Sequence, residues 1–149
     1  MKAALLIESM TGHTWNAGER IANDLTQEGW EIVGYDSIRR PDHRAIQSAD
    51  IVIIGTWVDG LFLVGQKPFG AAAIGKLPAM AGKQAAVFCT FAVNPRKTLD
   101  KMTGIVSALG ADVIGGLALH RAKIDEHAET FATRLVGAVD LGARAASTA

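Results

Sequence analysis

The sequence predicts an α/β sandwich, a parallel five-stranded sheet with helices on both faces. Two observations carry that expectation. Short β-type runs alternate with helical stretches from end to end, the order that βαβ units produce. Three of those runs, Ala3–Ile7, Ile51–Ile54 and Ala85–Cys89, are almost continuously apolar, without the period-two alternation of a half-exposed strand. Strands covered on both faces read this way, and crossovers between parallel strands are right-handed.

The strands are expected at Ala3–Ile7, Glu31–Asp36, Ile51–Gly55, Ala85–Cys89 and Val113–Leu119. Helices fit between them at Thr14–Glu28, Arg44–Ala49, Phe69–Ile74, Pro95–Leu109 and Asp125–Ala145. In the first helix Ala17, Ile21 and Leu25 share a face and Gly29 supplies the stop; in the last, Ala128, Phe131, Leu135 and Val139 form the stripe. Asn94-Pro95 reads as an N-cap followed by proline at the first helical position, and the small polar tail Ala145–Ala149 is expected to fray.

The 149 residues, 49% of them hydrophobic, suit a single domain over 1–149 with a real core. Fifteen basic and fifteen acidic side chains leave no net charge, which argues against a nucleic-acid binder. The balance is uneven: residues 1–75 hold six basic and nine acidic groups, residues 76–149 nine and six. The single cysteine, Cys89, has no partner for an internal disulfide, and reads as a buried small hydrophobe. No apolar run reaches the ~18–20 residues of a membrane span, and Ala3–Ile7 is too short for a signal-peptide core, so a cytoplasmic, non-membrane-spanning protein is expected.

In parallel sheets of this kind ligands bind outside the carboxyl ends of the strands. The loop after the first strand, Ser9-Met10-Thr11-Gly12-His13-Thr14, places three hydroxyls and a glycine at a helix N-terminus. Free backbone N–H groups and the positive end of the helix dipole attract a phosphate there, Ser9, Thr11 and Thr14 add hydroxyl donors, and Gly12 lets the backbone come close. The loop carries no lysine or arginine and matches neither G-x-x-x-x-G-K-[ST] nor G-x-G-x-x-G. Neutral donors alone suit an enclosed phosphate monoester. The bland reading is a hydroxyl-rich helix start with no ligand.

That hexapeptide resembles the FMN-phosphate loop of the flavodoxins, [ST]-x-x-G-x-T after an apolar strand, and the match continues through Trp15-Asn16-Ala17, Gly18, Glu19-Arg20 and Ile21. Gly18 stands where alanine is usual and Ile7 where an aromatic is common; both departures bear on helix packing and strand fit. The resemblance implies a short-chain flavodoxin-like domain with strand order 2-1-3-4-5, non-covalent FMN, and electron transfer between redox partner proteins, a reductase and an acceptor. It also implies roles for two further loops. Thr56-Trp57-Val58-Asp59-Gly60 would cover one flavin face through Trp57, with Asp59-Gly60 at the ring's N5 edge. Thr90-Phe91-Ala92 and Asn94 would read the pyrimidine edge with backbone groups and cover the second face with Phe91. Without a flavin, Trp57 is a lid over the core and Phe91 core filler.

Two further functions stay open: a small FMN-dependent quinone reductase or oxidase of the protoporphyrinogen-oxidase kind, and a flavodoxin-fold interaction protein without flavin. Arg96, Lys97 and Lys101, at the start of the helix after the fourth strand, read as a solvated face or as a lure for an anionic substrate or acidic partner. Electron-carrying flavodoxins are usually strongly acidic and meet basic partners; this neutral chain departs from them. Apolar stacking and a lack of nearby positive charge would tune the cofactor. No metal is expected, because His13, His43, His120 and His127 include no i, i+4 pair, and no G-x-S-x-G marks a hydrolase. Only Glu8 and Asp59 stand where a phospho-receiver domain clusters its acids.

Overall fold

The computed structural model describes residues 1–59, 67–68, 70–95 and 97–148, so the readings placed on Gly60, Phe69 and Arg96 lie outside the described residues. In chain order the elements are β1 (Lys2–Ile7), α1 (His13–Gln27), β2 (Glu31–Ser37), α2 (His43–Ser48), β3 (Ile51–Asp59), β4 (Lys67–Pro68), α3 (Ala71–Gly75), β5 (Gln84–Phe91), α4 (Thr98–Ala108), β6 (Asp112–His120), a 3-10 turn (Arg121–Lys123) and α5 (Ile124–Thr148). Five strands run parallel in the order β2-β1-β3-β5-β6, which is the expected 2-1-3-4-5 once the two-residue β4, antiparallel to the end of β3, is set aside.

Alternate residues of each central strand feed two cores. Ala3, Leu5, Ile7, Ile51, Ile53, Ala86 and Phe88 meet Ile21 and Leu25 of α1 and Phe131 and Leu135 of α5. Leu6, Val52, Ile54, Val87 and Cys89 face the other way, against Ile46 of α2, Ile74 of α3 and Met102 and Val106 of α4. This two-sided demand explains the unbroken apolar runs. Each fully buried Leu or Ile contributes about 1.5–3 kcal/mol through water exclusion.

Two glycines are fixed by close approach. A Cβ on Gly55 would land inside the ring of Phe88 on the neighbouring strand. A Cβ on Gly18 would lie 2.5 Å from the Tyr35 hydroxyl and 2.9 Å from Cδ1 of Ile7. The two departures noted in the sequence, Gly18 and Ile7, are therefore parts of one contact: the helix gives up a methyl where the β-branched strand residue and the phenol need its space. Tyr35 stands edge-on to Trp15, with centroids 4.7 Å apart, and its hydroxyl donates to the Trp15 carbonyl at 2.7 Å. Burial, reinforced by Glu19, pushes the Tyr35 pKa well above its ordinary value and keeps it a donor.

Several boundaries differ from expectation. β3 and β5 run on to Asp59 and Phe91, because their ladder continues through the Thr56–Cys89 and Trp57–Thr90 pairs. Asn94-Pro95 does not cap α4. The chain first makes a turn in which Thr98 N–H donates to the Pro95 carbonyl at 3.1 Å; Lys97 is the cap residue and Lys101 N–H makes the first helical bond to it. The tail is helical to Thr148, although exposed. No helix among the described residues is long and apolar enough to cross a membrane.

Candidate functional site

The carboxyl ends of β1, β3, β5 and β6 converge on a cleft of about 230 Å³. Met10, Thr11, His13 and Thr14 line it from the β1–α1 connection, Trp57 and Val58 from the end of β3, Thr90, Phe91 and Ala92 from the end of β5, and Arg121 from beyond β6. Nine of the residues picked from the sequence thus share one wall system. Thr56 is wholly buried within β3, Asn94 is exposed beyond β5, and the backbone of Asp59 pairs with Lys67 of β4.

The β1–α1 connection is built around Gly12. Its φ of +91° is left-handed, a conformation that costs an L side chain about 1–2 kcal/mol. Beyond its chain neighbours, none of the described residues lies within 4 Å of where its Cβ would be. The glycine is therefore required by its own backbone angle rather than by a crowded approach. Ser9 Oγ accepts from Gly12 N–H at 3.1 Å and closes the loop, so its acceptor capacity serves the fold while its proton can still be donated. Gly12 caps α1 with no side chain, and the first turn of the helix carries no acid. The amides of that turn keep their positive character toward the cleft.

At the base of this loop Thr14 Oγ1 and Thr90 Oγ1 lie 2.7 Å apart, with Thr14 2% and Thr90 4% exposed. One hydroxyl donates to the other, and the accepting hydroxyl retains its own proton for a further acceptor. Both residues line the cleft, so that proton is available to an anion at the helix N-terminus. Trp57 sits beside Thr90 across the β3–β5 ladder and is half-buried. Phe91 packs edge-on to His120, with ring centroids 5.1 Å apart at 81°, and still lines the cleft. Cys89, one residue before Thr90, is fully buried; burial pushes its pKa up to about 12, which leaves the thiol unreactive.

Arg121 was missed in the sequence, and it overturns the expectation of a site without nearby positive charge. It follows the carboxyl end of β6, so the strand-end rule applied to the first, third and fourth strands would have reached it through the fifth. Two imidazoles set its turn. His127 Nδ1 accepts from His120 N–H at 2.9 Å, and His120 Nδ1 accepts from Ala122 N–H at 3.0 Å. Among the described residues no cluster of three or more His, Cys, Asp or Glu could hold a metal ion.

No protein-family model matches this chain, and no curated protein matches it in sequence. Solved structures do match in fold. Flavodoxin 1 from Bacillus cereus superposes with a TM-score of 0.68 at 23% identity, covering 92% of this chain and 98% of that one. A variant of the flavodoxin from Pseudomonas aeruginosa gives 0.71 at 17% identity, covering 94% and 99%. A variant of Fusobacterium nucleatum flavodoxin, bound to flavin mononucleotide, gives 0.67 at 11% identity, covering 89% and 93%. The chain has the flavodoxin-like fold.

Proposed function

We propose that this chain binds FMN non-covalently and passes electrons between redox partners. The buried Thr14–Thr90 hydroxyl pair under the N-terminus of α1, opening into a cleft walled by Trp57 and Phe91, carries the proposal. The donors fit a phosphate monoester: neutral hydroxyls, helix amides, and a glycine that no described residue beyond its chain neighbours crowds. Ser9, Thr11 and Thr14, with the amides from Gly12 onward, would hold the phosphate, and Met10 and His13 would flank it. Trp57 and Phe91 would cover the two faces of the ring, aromatic contacts of about 0.5–1.5 kcal/mol each beyond their buried area. Val58, Asp59 and Gly60 would border one ring edge, and Thr56 would buttress Trp57. Backbone groups of Thr90, Ala92 and Asn94 would border the other.

FMN, when bound, accepts and releases one or two electrons; the protein supplies binding, orientation and electrostatics. Trp57 and Phe91 would exclude water from the ring. Arg121, in the cleft wall, favours added negative charge there and so raises the cofactor's potential relative to a cleft without it. The test is a titration of the purified protein with FMN, followed by absorption and flavin fluorescence, then anaerobic stepwise reduction. Saturable binding with perturbed absorption is expected; the absence of binding sinks the proposal and leaves a flavodoxin-fold interaction protein.

The placement of Arg121 in the same cleft as Phe91 also favours a second reading, a small FMN-dependent quinone reductase, since a cation in the cleft wall stabilises the anion formed as a quinone is reduced. Steady NAD(P)H oxidation with a quinone by the protein alone selects that reading; no turnover without partners selects the carrier. Residence in the cytoplasm accords with either.

A further inference from the structure

A hollow of about 250 Å³ opens between β6 and α5 and shares no residue with the cleft. Ile114, Gly115 and Leu117 of β6 and Phe131, Leu135 and Ala138 of α5 line it. Its floor is open at Gly115: beyond the chain neighbours, no described residue lies within 4 Å of where a Cβ would be. Arg134 supplies the one polar side chain of the lining. Small-molecule pockets usually enclose ~300–1,000 Å³ and bring several polar groups together. This hollow is smaller and apolar, which suits an inserted side chain better than a cofactor.

The same helix carries a side chain in need of cover. Leu141 is 68% exposed, and every residue of α5 from Asp140 to Thr148 is exposed. Arg134, Ala138 and Leu141 fall at i, i+4 and i+7, so all three lie on one face of the helix. Arg134 and Asp140 are both exposed, and neither is in an ion pair among the described residues. One helix face thus holds a slot, an uncovered leucine and two uncompensated charges of opposite sign.

We infer that this face binds a second copy of the chain, the two α5 helices running antiparallel and crossing at Gly137–Ala138. A two-fold axis at that point sets Leu141 of each copy opposite Arg134 of the other, at the rim of the hollow. Asp140, one residue earlier, comes within reach of the same guanidinium. Each contact is made twice, as an isologous interface requires. Gly137 and Ala138 offer at most a methyl at the crossing, and no described residue beyond its chain neighbours and its own helix backbone crowds Gly137, so the axes can approach to the ~8–10 Å of packed helices. The charges decide the direction. Parallel helices would set Arg134 against Arg134 and Asp140 against Asp140, with their dipoles aligned. Because the Arg121–Lys123 turn leads from the cleft into α5, antiparallel pairing leaves the two clefts at opposite ends of the dimer. The inference does not depend on what the cleft binds.

The experiment is sedimentation equilibrium of the full chain over about 1 µM to 1 mM, the range in which a small interface dissociates. Monomer passing to dimer is expected. Leu141→Ser should weaken the dimer about fivefold, and Arg134→Asp or Asp140→Arg about tenfold. Combining the two reversals should restore the parent affinity, and mixing the two single variants should give a mixed dimer. Thermal melts of these variants should match the parent, since all three positions are exposed. Gly137→Cys should cross-link under a mild oxidant, whereas Gln47→Cys, exposed on α2 across the sheet, should not. A monomer at every concentration overturns the inference. So do single reversals as tight as the parent, a double reversal as weak as the singles, or equal cross-linking through Gln47→Cys.

Discussion

The β1–α1 connection and the β6–α5 turn face the same cleft but are built by opposite means. In the first, every contributor lies within six residues, the backbone is forced left-handed at Gly12, and the key hydroxyl of Thr14 is buried against Thr90. In the second, the contributing side chain is an exposed arginine on a turn whose flanking backbone N–H groups, those of His120 and Ala122, donate to two imidazoles. Ordering a buried donor near a charge takes local geometry that sequence spacing encodes. An exposed cation needs only to emerge at the right strand end. Substitutions in the first region should therefore cost stability or affinity outright, while those in the second should act mainly through charge and salt.

The largest effect is expected where the first connection leans on the sheet. Gly18→Ala drives a methyl against the Tyr35 hydroxyl and Ile7, and should lower unfolding free energy by about 1–3 kcal/mol in urea titrations. A stability equal to that of the parent chain would mean that the helix can shift away from β1 without loss. Next, Thr14→Val should weaken FMN binding by about 1–3 kcal/mol, since it strands the Thr90 hydroxyl and removes a donor; retained affinity would put the phosphate elsewhere.

In the second region, His127→Ala removes the acceptor for His120 N–H and should cost about 1 kcal/mol in thermal unfolding. The comparison would be sharpened if FMN affinity stayed unchanged in that variant. Smallest of all, Arg121→Gln should alter stability by less than about 0.5 kcal/mol, as exposed substitutions do. Its signature should be electrostatic: a lowered flavin potential, with the difference from the parent shrinking as salt is raised.

The sequence made the parallel sheet and the β1–α1 connection legible because both rest on short-range pattern, whereas the strand order came through the family resemblance that the connection carries. Unbroken apolar runs report two covered faces, and Gly12 with Thr14 reports a helix start. The lengths of β3 and β5 were not legible, since residues such as Thr56 and Trp57 look like loop residues until the partner strand supplies Cys89 and Thr90. The α4 start was misplaced because Asn94-Pro95 is as good a turn as it is a cap, and the contact of Thr98 N–H with the Pro95 carbonyl decides between them. Arg121 carries no motif, and its importance comes only from the convergence of strand ends.

The notch at Gly18 has a mechanical consequence. Among the described residues β2 pairs with β1 at one edge of the sheet, and an edge strand is a natural place for fraying. Yet Tyr35, midway along it, reaches through the missing methyl to the carbonyl of Trp15, the residue after Thr14. The outer strand is thereby tethered to the turn that starts α1. An opening of β2 must release that tether, so hydrogen exchange at the β2 amides and at the first amides of α1 should rise together, and a phosphate held at the helix start should slow exchange in a strand it never touches.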